Sequence, residues 1–194
     1  MNKIQMKTFR YYLGNSLILI SLLILGFIYY PYFSLYFSTP DPQVLSNSQF
    51  SITIPKIRAQ APVIENVNPW APSDYQPSLE RGVAEASGSA LPGERGNIFL
   101  FAHSSQPPWK LTRLNTSFLR LGELNFGDQI ILNKDGKRFI YEVKDKKEVW
   151  PNEVKYLQEI NQSTSSDTQT LILQTCTPIG TSLKRLLVFA QRVS

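Results

Sequence analysis

The sequence predicts an all-β domain, a barrel or a sandwich with short helices, that follows one N-terminal membrane-spanning helix. Three observations lead to this fold class. Residues 11–40 contain no charged side chain, which is typical of a membrane span. Several apolar segments of strand length follow residue 49, with turn residues between them. Two of these segments flank Asp135-Gly136, a pair that favours a tight hairpin turn.

The composition excludes several classes of protein. Apolar residues make up 42% of the 194 and charged residues 18%, so the chain can fill a core and is not intrinsically disordered. It contains one histidine and one cysteine. An intrachain disulfide, a zinc finger, a His-carboxylate iron site and a Cys-rich cluster are therefore impossible.

The net charge of +5 does not indicate nucleic-acid binding. Of the 20 Lys and Arg residues, Lys3, Lys7 and Arg10 precede the uncharged segment, which leaves 17 against 15 acidic residues in the rest of the chain. That net charge of +2 is ordinary, and no basic stripe with interleaved aromatics occurs.

The apolar run over residues 13–30, which Tyr and Phe residues extend to 37, is long enough to cross a bilayer. We expect a transmembrane anchor over residues 13–37, with Pro31 ending the helix. Since Lys3, Lys7 and Arg10 precede it and no basic residue follows it closely, the positive-inside rule predicts a cytoplasmic tail over residues 1–12 and an extracellular remainder. A cleaved signal peptide is the alternative, but its apolar region is normally shorter and ends in small residues at a cleavage site. The predicted location is the cell membrane, single-pass.

A polar, Pro-containing linker is predicted over residues 38–49, and one domain over residues 50–194. Short helices are expected near Ser78–Arg81 and Leu114–Leu121. The segments that we interpret as strands are residues 50–55, 61–67, 97–103, 127–132, 137–143, 147–151, 170–176 and 184–193.

Three residues at strand ends could together support acyl-transfer chemistry. His103 ends one strand, Cys176 ends another, and Arg185 begins the strand that follows. If residues 170–176 and 185–193 pair antiparallel, Cys176 and Arg185 lie at the same end of the sheet. A thiolate is a nucleophile, an imidazole transfers protons, and a guanidinium stabilises an oxyanion. Taken alone, each also fits an ordinary role: a buried cysteine, a structural histidine and a solvated arginine.

At these residues the sequence resembles the sortases, a family of membrane-anchored cysteine transpeptidases of bacterial surfaces. Leu171-Ile-Leu-Gln-Thr-Cys176, with Arg185 nine residues later, resembles the family's Thr-Leu-x-Thr-Cys signature and its following Arg. The family's second signature is Pro-Gly-Glu-x-Gly-Asn followed by a strand that ends in His. It resembles Leu91-Pro-Gly-Glu-Arg-Gly-Asn97, which leads to Ala102-His103. The resemblance covers roughly residues 50–193.

The resemblance implies a closed β-barrel of about eight strands with Cys176, His103 and Arg185 as catalytic residues and Thr175 in support. It implies a transpeptidase (EC 3.4.22-like) that cleaves a C-terminal Leu-Pro-x-Thr-Gly-like sorting motif of secreted proteins through a thioacyl-enzyme. The product is then joined to an amine acceptor, such as a peptidoglycan precursor or a pilin. A cysteine hydrolase of similar motifs and a non-catalytic extracellular binding domain remain as alternatives.

No cofactor is expected to be required. Some sortases bind calcium, and Glu80, Glu85 and Glu94 are the acids near a suitable loop, but spaced loop acids are usually just solvated. We therefore predict no required metal.

Overall fold

The computed structural model describes residues 3–37, 48–153 and 169–193. Most of the predicted linker, residues 38–47, lies outside these ranges. The long N-terminal helix and the β domain form separate compact units, and each is described by itself.

The N-terminal helix, α1, covers Lys3–Phe37 and begins earlier in the chain than the predicted anchor. Its apolar part, Phe9–Leu35, is 27 residues long with a mean hydropathy of 2.0. At about 1.5 Å per residue, this length exceeds the roughly 30 Å of a hydrocarbon core. The prediction that Pro31 ends the helix is wrong, because the helix continues six residues beyond it. Proline removes one backbone donor, and membrane helices tolerate that loss.

The β domain is a closed barrel of eight strands, as predicted. The strands are β1 (Phe50–Ile54), β2 (Ala59–Val67), β3 (Val83–Ala86), β4 (Asn97–Phe101), β5 (Gln129–Lys134), β6 (Lys137–Val149), β7 (Thr170–Thr177) and β8 (Lys184–Arg192). Around the barrel the order is β1-β2-β3-β4-β7-β8-β6-β5, and β1 pairs with β5 to close it. Strands β2 and β3 pair in parallel, as do β4 and β7, and the other neighbours are antiparallel.

Side chains alternate between two apolar clusters on the two faces of the sheet. The larger cluster takes residues from all eight strands and fills the barrel interior; Leu100, Leu173 and Val188 belong to it. A second cluster lies on the outer face, where helix α2 (Pro72–Arg81) packs through Leu79. The outer cluster consists of Val67, Leu79, Ala84, Ala86, Phe99, Phe101, Val149, Ile172 and Leu187.

The predicted hairpin is confirmed. Strands β5 and β6 pair antiparallel around Asp135 and Gly136, which have φ values of 51° and 75°. Two consecutive positive φ angles are what a tight hairpin turn requires. The strand predicted at 147–151 is not separate, because β6 continues through a bulge between Val143 and Asp145 to Val149.

Three other elements differ from the sequence expectations. Strand β3 lies between the segments 61–67 and 97–103, where no strand is predicted, and it is only four residues long. Helix α2 extends from Pro72, whereas the prediction began at Ser78; Pro72 is compatible with the first helical turn, and Pro77 lies inside the helix. The single helix expected over Leu114–Leu121 is instead two 3-10 turns, Leu114–Thr116 and Leu121–Glu123.

Candidate active site

The site is built where the ends of three adjacent strands meet. Because β4 and β7 are parallel, their carboxyl ends lie at the same end of the barrel, and β8 begins there because it runs antiparallel to β7. His103 follows β4, Cys176 is the last residue but one of β7, and Arg185 is at the start of β8. Strand β1 begins at the opposite end of the barrel, where the β5–β6 hairpin lies. Its pairing with β2 and β5 places Phe50 beside that hairpin.

Cys176 and Arg185 are direct cross-strand partners. Side chains of directly opposite residues lie on the same face of a sheet, with Cβ atoms about 4.5–5.5 Å apart. Alternation from Ile172 in β7 and from Leu187 in β8 places both on the outer face of the barrel, and both are half-buried. The prediction that they lie at one end of the sheet is confirmed.

His103 lies level with Cys176 on the other side of β7. The parallel register aligns Phe101 with Gln174, and two residues further along both segments His103 reaches the level of Cys176. The Ala102 N–H donates to the carbonyl of Gln174 over 3.1 Å, so the ladder continues past the end of β4. Cys176 therefore lies between a histidine and an arginine.

Thr175, the predicted supporting residue, links the two segments. Its side chain is 4% exposed and points to the inner face, where Oγ1 donates to the carbonyl of Ala102 over 2.9 Å. Thr175 immediately precedes Cys176 in the chain, and Ala102 immediately precedes His103. Thr175 therefore restrains the distance between the thiol and the imidazole without contacting either through this bond.

The guanidinium of Arg185 is held by its own loop. Nη1 donates to the carbonyl of Ser182 over 3.0 Å and to that of Lys184 over 3.1 Å. Lys184 faces the other way, pairing with Glu148 at 3.2 Å and lying over the Trp150 ring at 5.4 Å. Of the two neighbouring cations, it is Arg185 that shares a face with Cys176.

The outer apolar cluster, against which α2 packs, is a buried layer next to these three residues. Three of its members lie near the site: Phe101 precedes it along β4, Leu187 lies next to it on β8, and Val149 lies next to it on β6. An apolar surface beside a nucleophile excludes water and strengthens electrostatic interactions there.

Burial lowers the pKa of His103 from its usual range, and the charge of Glu80 partly opposes this by favouring the imidazolium. Glu80 belongs to α2 and is exposed. The imidazole is therefore mostly neutral at pH 7 and able to accept a proton. In the sequence Glu80 is distinguishable only as a loop acid; its proximity to His103 depends on how α2 packs, which no local pattern reveals.

A titration of His103 is straightforward because the chain has one histidine. We expect the imidazole signals in NMR spectra of the full chain in detergent micelles to titrate below about 6.5, the ordinary value. Glu80→Gln lowers this pKa further, since it removes the charge that favours the imidazolium. Glu123→Gln, a change to a carboxylate that pairs with Arg120, serves as control. A titration above 6.5 contradicts the burial of His103.

The three acids considered for calcium have separate partners and do not form one site. Glu85 is buried and accepts bonds from the Asn66 N–H at 2.7 Å and from the Ser89 hydroxyl, and burial raises its pKa. Glu94 accepts from the N–H of Leu91, and Glu80 lies near His103. Within residues 3–37, 48–153 and 169–193, no group of three or more His, Cys, Asp or Glu side chains is placed to hold a metal.

Comparison with known proteins agrees with this architecture. A family model described as the sortase domain matches residues 52–193. Sortase D of Bacillus subtilis (strain 168) is 30% identical over 146 residues, which are 74% of this chain and 63% of that protein. The chain thus aligns with less than two thirds of that relative's length.

Solved structures give the same result. Sortase A from Corynebacterium diphtheriae is 30% identical with a TM-score of 0.61, over 76% of this chain and 61% of that one. Sortase C-1 from Actinomyces oris is 29% identical with a TM-score of 0.58, over 75% and 73%. Because the family model covers most of the chain and the barrel is shared, the chain belongs to the sortase family.

Proposed function

We propose that the protein is a cysteine transpeptidase that cleaves a Leu-Pro-x-Thr-Gly-like sorting motif of secreted proteins and joins them to an amine acceptor. Membership of the sortase family supports the reaction class. The observation that carries the proposal is the position of Cys176, directly opposite Arg185 and level with His103. A nucleophile, a proton carrier and a cation on one face are what acyl transfer requires.

In the first half-reaction, the neutral imidazole of His103 takes the proton of the Cys176 thiol. The thiolate attacks the carbonyl carbon of the Thr–Gly bond, and Arg185 stabilises the resulting oxyanion. With Nη1 engaged by loop carbonyls, the remaining guanidinium N–H groups supply the donors. The C–N bond then breaks, His103 returns its proton to the departing glycine amine, and a thioester remains on Cys176.

In the second half-reaction, an amine attacks the thioester carbonyl. His103 takes a proton from the attacking amine, and the oxyanion forms again in the same place. Cleavage of the C–S bond gives the new amide and releases sulfur as thiolate, which recovers the proton from His103. Each half-reaction uses the same three side chains, so one site performs both.

The proposed location is the cell surface, with α1 as anchor. Lys3, Lys7 and Arg10 precede the apolar span, and the first charged residue after it is Asp41. This asymmetry favours a cytoplasmic N-terminus and an extracellular catalytic domain over residues 50–194. Secreted proteins with sorting signals and surface amines are then accessible to the site.

Protease added to intact cells tests this orientation. With an epitope tag at each terminus, we expect the C-terminal tag to be lost and an N-terminal fragment that includes residues 1–12 to survive. Lysed cells, in which both tags are accessible, provide the control. Protection of the C-terminal tag until lysis contradicts the proposed orientation.

The reaction type is tested by incubating the full chain in detergent micelles with a Leu-Pro-x-Thr-Gly peptide, with and without triglycine. A transpeptidase gives the peptide–triglycine conjugate when the amine is present, identified by mass. A free threonine carboxylate in both reactions identifies a hydrolase, and an intact peptide in both refutes an enzyme for this motif.

A further inference from the structure

The loop between β7 and β8 is joined to the segment that carries His103 by one side chain outside the catalytic set. Ser105, two residues after His103, accepts a hydrogen bond from the backbone N–H of Gly180 over 2.9 Å. Gly180 is four residues after Cys176 and has a φ of 85°, a conformation that glycine adopts without strain. The bond joins residues 75 positions apart in sequence.

This contact completes a pair of links on either side of His103. Before the histidine, the Ala102 carbonyl accepts from Thr175, and after it, the Ser105 hydroxyl accepts from Gly180. The partners in the other segment, Thr175 and Gly180, lie on either side of Cys176. The histidine and cysteine segments are thus held together at two points with the reactive side chains between them.

The same loop holds Arg185. Thr181 closes a turn through bonds from its N–H and its hydroxyl to the Pro178 carbonyl, at 3.0 and 2.9 Å. The next residue, Ser182, provides the carbonyl that accepts from Arg185 Nη1 at 3.0 Å. A displacement of Gly180 therefore moves the carbonyl that orients the guanidinium.

We propose that Ser105 is a positioning residue for acyl transfer: its hydroxyl fixes the β7–β8 loop, residues 178–183, against the His103 segment and so keeps Arg185 oriented toward Cys176. Ser105 acts through the loop and not on the substrate. The inference rests on the proposed function for its kinetic part, whereas the link between Ser105 and Gly180 is measurable without substrate.

Ser105 is half-buried, and a neutral hydrogen bond of this kind has a modest net free energy, roughly 1 kcal/mol, or about a fivefold change in a two-state population. We therefore expect Ser105→Ala to lower kcat for peptide cleavage by up to about fivefold. Ser105→Thr keeps the hydroxyl and is expected to retain most of the rate. Ser87→Ala removes an exposed serine hydroxyl beyond β3, at the opposite end of the barrel, and is the matched control.

Two readouts on the full chain in micelles separate positioning from a general structural defect. Amide hydrogen exchange at Gly180 is expected to accelerate in Ser105→Ala and to stay slow in Ser105→Thr and Ser87→Ala. Iodoacetamide alkylation of Cys176, the one cysteine, is expected to stay within about twofold of wild type in all three variants. If kcat falls while Cys176 reacts with iodoacetamide as in wild type, the defect lies in the loop.

The proposal is overturned if Gly180 exchange in Ser105→Ala matches wild type, or if exchange accelerates while kcat is unchanged. It is also overturned if Ser105→Thr loses as much rate as Ser105→Ala. If the wild-type chain itself does not turn over the peptide, the proposed function fails, and the exchange measurement still decides whether the link exists.

Discussion

Replacement of Cys176 by alanine is expected to reduce peptide cleavage by at least about 10³-fold while the barrel stays folded. The nucleophile forms a bond to the substrate, and no other thiol in the chain can replace it. Cys176 is half-buried near the end of β7, outside both apolar clusters, so its loss leaves no cavity in the core.

Circular dichroism and thermal unfolding provide the folding control for this variant, which is expected to melt within a few degrees of wild type. Thr177→Ala is the matched variant one residue further, because its side chain faces the other way and contacts Glu148 at 3.4 Å. We expect it to retain most activity. Near-normal turnover by a folded Cys176→Ala protein would contradict the assigned nucleophile.

Replacement of Arg185 by alanine is expected to cost on the order of 10²–10³ in kcat, the usual effect of removing an oxyanion donor. The ordinary alternative, a solvated arginine, predicts almost no change, so the two interpretations are well separated. Arg185→Lys is expected to restore little, because an ammonium cannot reproduce the planar arrangement of donors.

Lys184→Ala is the control, since it removes the adjacent cation, which pairs with Glu148 on the other face. Its activity is expected to stay within a few-fold of wild type, and the thiol of all three variants is expected to react with iodoacetamide. Full activity in Arg185→Lys would show that charge alone is sufficient. Full activity in Arg185→Ala would leave Cys176 and His103 without a cationic partner in the reaction.

Much of this site follows from local sequence patterns, and the remainder depends on contacts between distant residues. The pairing of Cys176 with Arg185 is predictable because two strand patterns joined by a short loop form an antiparallel pair. That His103 lies level with Cys176 depends on the parallel pairing of β4 with β7, whose residues are more than 70 positions apart in the chain. Only the family resemblance indicated that these two residues meet.

The errors have equally specific causes. Strand β3 has four residues, too few for an alternating pattern to be distinctive among prolines and small residues. Pro31 was expected to end α1 because proline disrupts helices in water, whereas a long apolar helix continues past it. Ser105 and Glu80 were not identified as part of the site because the contacts that bring them there are tertiary.

The most direct test of the central claim is the mass of the protein during turnover. The full chain is mixed with excess Leu-Pro-x-Thr-Gly peptide without an added amine, and the reaction is quenched in acid within seconds. We predict that the protein gains the mass of the acyl part ending in threonine, that digestion locates it on Cys176, and that triglycine added before the quench removes it. Cleavage of the peptide at an undiminished rate by Cys176→Ala, with no adduct on Cys176 in wild type, would contradict the account.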